Sequence, residues 1–217
     1  MNVVVYTSIF GNYDQLRPAR FRNVRHICFT DSAQGIEGWE EIEVNQKHVD
    51  PKREASMYLA LSHLWFPEAQ YTIYHGGCGE LLRHPDEIVA LLGDRDVATF
   101  KHPTRDCIYD EAAAVIGYGK ANPNVVRAQV AYYRAAGYPE HIGLVATGLV
   151  IRRHTDEIVR FNEIWWALMS RFTARDQLSF NFARWKTWIL WRMIPGGSSD
   201  NDRLGENDYV VRHEHGR

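Results

Sequence analysis

The 217-residue sequence is short of cysteine, of long apolar runs and of net charge, and each shortage removes a class of protein. Its three cysteines, Cys28, Cys78 and Cys107, lie far apart and form no C-x-x-C pair. That excludes a disulfide scaffold and a paired-cysteine zinc site, and a reducing compartment is the easier fit. No stretch is apolar for the ~18 residues that a spanning helix needs, and the nearest, residues 185–194, is broken by Lys186 and Arg192. Residues 1–9 read as an apolar strand without a basic leader or a small-residue cleavage site, so we expect no secretory signal and a soluble, cytoplasmic protein. With 25 Lys+Arg against 27 Asp+Glu, the formal charge of −2 provides no global field for nucleic acid or an anionic membrane. Repeats and low-complexity tracts are also missing, which leaves local patches to do any charge work.

What is present is core material. Hydrophobic residues make up 45% of the chain and aromatics 12%, with seven Trp and eleven Tyr, enough for one sizeable buried core. β-Branched or alternating runs predict strands over residues 2–8, 25–30, 39–44, 71–74 and 97–100. Helical spacing, opened by Asp50-Pro51 and closed by Pro67, predicts a helix over 52–65, and Pro85 and Gly93 bracket another over 85–92. This alternation is the pattern of an α/β domain with a largely parallel sheet. The second half reads differently. Helices are expected over 106–117, 124–136, 155–170 and 173–185, with 144–151 a strand pair or a strand kinked at Gly148. At 173–176 a capping box is expected, Thr173 accepting from the backbone and Asp176 returning the bond. The domain is expected to span 1–195, with a flexible break at 195–199 and a polar tail over 196–217 that carries His213 and His215.

In open α/β sheets ligands bind beyond the carboxyl ends of the strands, so strand exits are where chemistry should sit. After the first strand, Tyr6, Thr7 and Tyr13 beside the Gly11 turn can hold a base and ribose, or merely cover the core edge. After the second, Asp31 can accept from a ribose hydroxyl or serve as a turn residue. His75-Gly76-Gly77-Cys78-Gly79 can converge backbone N–H groups into an anion nest, with a tight turn as the plain alternative and a soft-metal pair of His75 and Cys78 as the weakest reading. Lys101, His102 and Arg105 suit a diphosphate or form a solvated cluster. On the last helix Gln177 and Asn181 lie one turn apart and Asp176 occupies the first turn, a face that can grip sugar hydroxyls or simply be a cap with surface amides. The tryptophans at 165, 166, 188 and 191 read first as core, then as an acceptor platform or a subunit contact.

Several long strings, YTSIFGNYDQLRP, CFTD, DPKR with LSHLWFP, YTIYHGG, ATFKHPTRDCIYDEA, QVAYYRAAGYPEHIGLVATGLVIRRHT and RDQLSFNF, run in order over residues 2 to about 182. They resemble the glycosyltransferase-like family of plant mucilage-related proteins and its bacterial and phage relatives. That family is similar in turn to glycogenin-like retaining glycosyltransferases. The resemblance implies a GT-A-like, Rossmann-like α/β fold, a mixed and mainly parallel sheet flanked by helices. It also implies transfer of a sugar from a nucleoside diphosphate, UDP above all, to a glycan or other hydroxyl acceptor. By that resemblance Asp176 and Gln177 lie at the reacting sugar. Tyr6, Thr7, Tyr13 and Asp31 lie at the nucleotide, and Lys101, His102 and Arg105 near the phosphates or donor sugar, with Thr147, Gly148 and Asn181 on the acceptor side.

One departure stands out. GT-A enzymes usually end the fourth strand in an Asp-x-Asp pair that holds manganese or magnesium, whereas this chain has Gly76-Gly77-Cys78. The family's lysine position is also filled by Leu59. We therefore expect a metal-free arrangement, in which a Gly76–Gly77 nest with Lys101, Arg105 and Arg53 neutralises the leaving diphosphate. A divalent ion remains the competing expectation, with His213 and His215 as its ligands. Two rival functions are a non-catalytic nucleotide- or glycan-binding relative and a hydrolase using Asp110-Glu111 or Asp176 with His102.

Overall fold

A computed structural model describes residues 1–194, 196 and 207–215. The first half contains β1 (Val3–Ile9), β2 (Arg25–Thr30), β3 (Glu40–Glu43), α1 (Pro51–Ala60), α2 (Ser62–Trp65), β4 (Tyr71–His75), β5 (Gly79–Leu81), α3 (Pro85–Ala90) and β6 (Val97–Lys101). The second contains α4 (Ile108–Gly117), α5 (Pro123–Ala135), β7 (Val145–Arg153), α6 (Asp156–Arg171), α7 (Asp176–Thr187), β8 (Trp191–Ile194) and β9 (Val210–Arg212). Pro51, Pro85 and Pro123 each occupy a first helical turn, where their fixed φ fits and no N–H is lost, behind side-chain caps from Asp50, His84 and Asn122. The helix expected over 52–65 is two, broken at Leu61, whose backbone leaves the helical region.

Seven strands form one sheet in the order β3-β2-β1-β4-β7-β6-β8, and β5 pairs with β9 in a separate antiparallel ribbon. Strands β1 to β4 run parallel, and β7 enters antiparallel between β4 and β6. The carboxyl ends of β1, β2, β4 and β6 therefore share one rim with the start of β7. Both faces are covered, which is why β1 is buried at all seven positions rather than alternating. Val4, Tyr6 and Tyr74 face a thick layer containing residues of α1 and α4–α7, while Val3, Val5 and Ile73 face a thinner one with Ile88, Leu81 and Val210. Trp165 is fully buried in the thick layer, whereas Trp188 is 82% exposed.

Arg152 of β7 is also fully buried, and its guanidinium donates to Tyr6 Oη and to the Leu59 carbonyl, both at 2.8 Å. Strands β5, β8 and β9 are additions to the expected set. Part of the anticipated tail thus returns to the domain, since β9 pairs with β5 and the His213 N–H donates to the Cys78 carbonyl at 2.9 Å. Of the break expected at 195–199, all but Gly196 lies outside the described residues.

Candidate active site

The site is built where α7 starts over the rim. The expected capping box does not form. Thr173 Oγ1 accepts weakly from the Arg175 N–H at 3.4 Å and donates to Gln129 Oε1 at 2.9 Å, and α7 begins at Asp176 without a side-chain cap. Asp176 is thereby released for another set of partners. Its carboxylate accepts from Thr147 Oγ1 at 2.8 Å and lies 3.9 Å from Lys52 Nζ, with 18% of the side chain exposed. Burial pushes this carboxyl up, but Lys52, the Thr147 hydroxyl, Arg175 and the Gln177 N–H together outweigh it and hold Asp176 below the usual carboxylate value.

Thr147 reaches Asp176 because β7 bulges there. Opposite β6, Thr99 faces Val150 but Phe100 faces Ala146, so residues 147–149 drop out of that ladder. Thr99 Oγ1 secures the bulge by donating to the Ala146 and Leu149 carbonyls. On the other side of the bulge the Gly76 N–H donates to the Gly148 carbonyl at 3.1 Å. A β-bulge beside a site re-aims a side chain, which is its use at Thr147. Gln177 follows Asp176, half-buried, in the first turn of α7.

Other expected residues are placed differently. Tyr6 is fully buried and its hydroxyl is spent on Leu59 and Arg152, so it supports the sheet rather than a nucleotide. Thr7 is buried as well, with Oγ1 lacking a partner among the described residues. Tyr13 is 46% exposed with its ring 4.8 Å from that of His215, and Asp31 accepts from the Gly11 N–H at 2.9 Å. Arg53 caps the end of α6, donating to the carbonyls of Met169, Ser170 and Phe172. Three of its five N–H donors are thus committed to α6, which turns the guanidinium toward that helix end. Arg105 is bound to Glu111 at 2.7 Å, and His102 is 2% exposed with Nδ1 accepting from the Arg105 N–H. Lys101 alone of that trio is exposed.

The Gly76–Gly77 nest is also reduced, because the Gly76 N–H is spent on Gly148 and the Gly79 N–H on the Gly76 carbonyl at 2.8 Å. Asn181 is buried and donates to the Gly143 carbonyl at 2.8 Å, tying α7 to the approach to β7 rather than facing an acceptor. The hydrolase pairing dissolves too, since Glu111 is absorbed by Arg105 and His102 while Asp110 stays exposed. Lys52 is the residue that the sequence reading passed over. The string Asp50-Pro51-Lys52-Arg53 offered two cations, and the helix turn sends the first to the site and the second to α6.

GT-A folds imply a divalent ion at the end of the fourth strand. Manganese and magnesium ask for hard oxygen ligands. The exit of β4 supplies Gly76, Gly77 and Cys78, and the adjoining group able to ligate, Asp14, Cys78 and His215, contains one carboxylate only. Those residues do not fit either hard ion. His75 does not complete the set, because an imidazole nitrogen is not the hard oxygen that either ion asks for; its ring is buried edge-on to Trp39 with Nδ1 2.9 Å from the Gly76 carbonyl, and burial lowers it to about 4.

A mixed, mainly parallel seven-stranded sheet flanked by helices, carrying this rim, is a GT-A-like α/β fold. Mouse xyloside xylosyltransferase 1, solved in its apo form, superposes with a TM-score of 0.51 over 89% of this chain and 84% of that one at 9% identity, a likeness of fold alone. Residues 22–193 match the TOD1/MUCI70, glycosyltransferase-like domain, and the chain belongs to that family. It is 28% identical over 214 residues to the probable hexosyltransferase MUCI70 of Arabidopsis thaliana, covering 84% of this chain but only 37% of that protein. No helix among the described residues is long and apolar enough to cross a membrane.

Proposed function

We propose that this domain transfers a hexosyl group from a nucleoside-diphosphate sugar, with UDP as the nucleotide, to a hydroxyl of a glycan or similar acceptor, with retention at the anomeric carbon. The observation that carries the reading is the ionised, partly covered carboxylate of Asp176 on the carboxyl-end rim, paired loosely with Lys52 and oriented by Thr147. Sugar transfer develops positive charge at the anomeric carbon and negative charge on the departing diphosphate. Asp176 answers the first charge. Its carboxylate is fixed before reaction, so it stabilises the oxocarbenium-like carbon without reorganising. Lys52 answers the second, because its 45% exposed ammonium can swing from Asp176 to a phosphate oxygen, and Lys101 adds a further exposed cation at the end of β6. Gln177, next to Asp176, offers an amide to the sugar hydroxyls.

Incubation with a panel of nucleotide sugars and oligosaccharide acceptors tests this, scoring free nucleotide and transferred sugar separately. Transfer from a UDP-hexose, with the product's anomeric configuration matching the donor's by proton NMR, is expected. A binding-only reading draws on the missing carboxylates after β4. It predicts nucleotide-sugar binding with neither transfer nor hydrolysis, and that result would replace the enzymatic assignment.

A further inference from the structure

We infer that Asp14, Cys78 and His215 form a binding site for a zinc-class divalent cation that clasps residues 207–215 onto the rim. Three segments remote in sequence meet here: the loop after β1, the exit of β4 and the stretch beyond β9. One ligand atom from each residue lies within 4.8 Å of the others, with Cys78 buried and the other two half-buried. A tetrahedral ion with zinc's ~2.0–2.3 Å bonds separates its ligand atoms by roughly 3.3–3.8 Å. His215 Nδ1 and Asp14 Oδ1, hydrogen-bonded at 2.6 Å, need to part by only about 1 Å to admit one.

The backbone is shaped to bring Asp14 in. A Cβ at Gly77 would lie 2.9 Å from Asp14 Oδ2 and 2.6 Å from Ile9 Cγ1, so only glycine lets that carboxylate lie against the β4 exit beside Cys78. Around the trio, Tyr13 packs on the His215 ring, and Arg212 places a permanent cation 3.7 Å from Cys78 Sγ, the atom that must carry charge when it ligates. His213 is outside the set, since its Nε2 faces Glu80 at 3.2 Å.

The donor set chooses the metal. One thiolate, one imidazole and one carboxylate suit zinc or its surrogate cobalt and disfavour manganese and magnesium. Three protein ligands leave a fourth tetrahedral position for water. Binding sends the Cys78 proton to solvent. The clasp has a mechanical purpose, because the β5–β9 ribbon joins only three residues of each strand and so short a pair is marginal alone.

The site stands or falls independently of sugar transfer, so the test uses no turnover. The full chain, stripped of metal, is titrated with cobalt(II) and read by absorption. The expected result is one equivalent bound with a thiolate-to-cobalt charge-transfer band, displaced by zinc but not by excess manganese or magnesium. Cys78→Ser should abolish the band, while Cys107→Ser, which dismantles the alternative group of Cys107, Asp110 and His141, should leave it intact. His215→Ala and Asp14→Asn, at half-buried positions, should each weaken zinc binding by about tenfold or more, judged against the ~10–100-fold lost with supporting residues alone. Zinc should also slow tryptic cleavage after Arg212 in the wild type and not in His215→Ala. A wild-type spectrum without the thiolate band, a band that survives Cys78→Ser, or displacement by manganese would overturn the proposal.

Discussion

Two carboxylates on the rim, Asp176 and Glu111, each have a cationic neighbour, yet they are built for opposite purposes. Glu111 is 6% exposed, sits 2.7 Å from Arg105 and has His102 alongside at 3.6 Å. Asp176 is 18% exposed and 3.9 Å from a lysine that is itself 45% exposed. The first arrangement is saturated. Removing one partner from such a pair strands the other in a dry place, so its value is structural. The second is worth little to stability, because an exposed ammonium at that distance is screened and mobile. A charge that is not needed to hold the fold is one that a substrate can borrow.

This contrast can be broken by substitution. The largest effect is expected from Asp176→Asn, which should lower kcat by about a thousandfold, the scale of losing a preorganised electrostatic group, while nucleotide-sugar affinity and Tm stay near wild type. Steady-state kinetics beside thermal unfolding would show it, and an unchanged kcat would return Asp176 to the helix end. Next in size, Glu111→Gln should cost about 3 kcal/mol of stability in urea unfolding yet leave kcat per folded molecule within about twofold. A large loss of kcat with intact stability would instead move the Arg105 cluster into the site.

The smallest effect is in the pH profile. His75, lowered by burial to about 4, stays neutral in the fold where the unfolded chain protonates near 6.5. Its contribution is therefore complete above about pH 6.5 and is lost as pH falls toward 4, on the order of 2 kcal/mol. Asp176 runs by a separate clock. Its lowered value keeps its stabilisation in place above 3.8, and that is lost only as pH falls through the folded value. Urea unfolding at pH 7 and pH 4.5 should thus show a drop in the wild type that His75→Phe reduces.

Much of the fold was legible because its strands and helices announce themselves locally. β2 matches its expected limits, and the Pro-led starts of α1 and α3 follow from φ alone. The short strands β5, β8 and β9 were not, because three or four residues show no period and only the partner strand makes them strands. At the rim, the sequence pointed to Asp176 and Thr147, and the structure brings these two side chains together at 2.8 Å. Arg53, Arg105, Tyr6 and Asn181 were misjudged for a shared reason: sequence shows that a side chain can donate or accept, not that Met169, Glu111, Leu59 or Gly143 has already engaged it. The approach of Asp14 to Cys78 was hidden for the same kind of reason. It depends on what Gly77 leaves out, and on a histidine from the far end of the chain.

The place of β7 in the sheet sets the order in which this chain can be completed. β6 is made before β7 but touches β4 only through it, so a growing polypeptide must hold one finished strand in reserve until its bridge leaves the ribosome. Until then β4 presents an unsatisfied ladder to whatever strand comes near. Synthesis in a cell should accordingly be most sensitive to pausing between Lys101 and Val145, and a chaperone that shelters strand edges would be engaged over that interval rather than at either terminus.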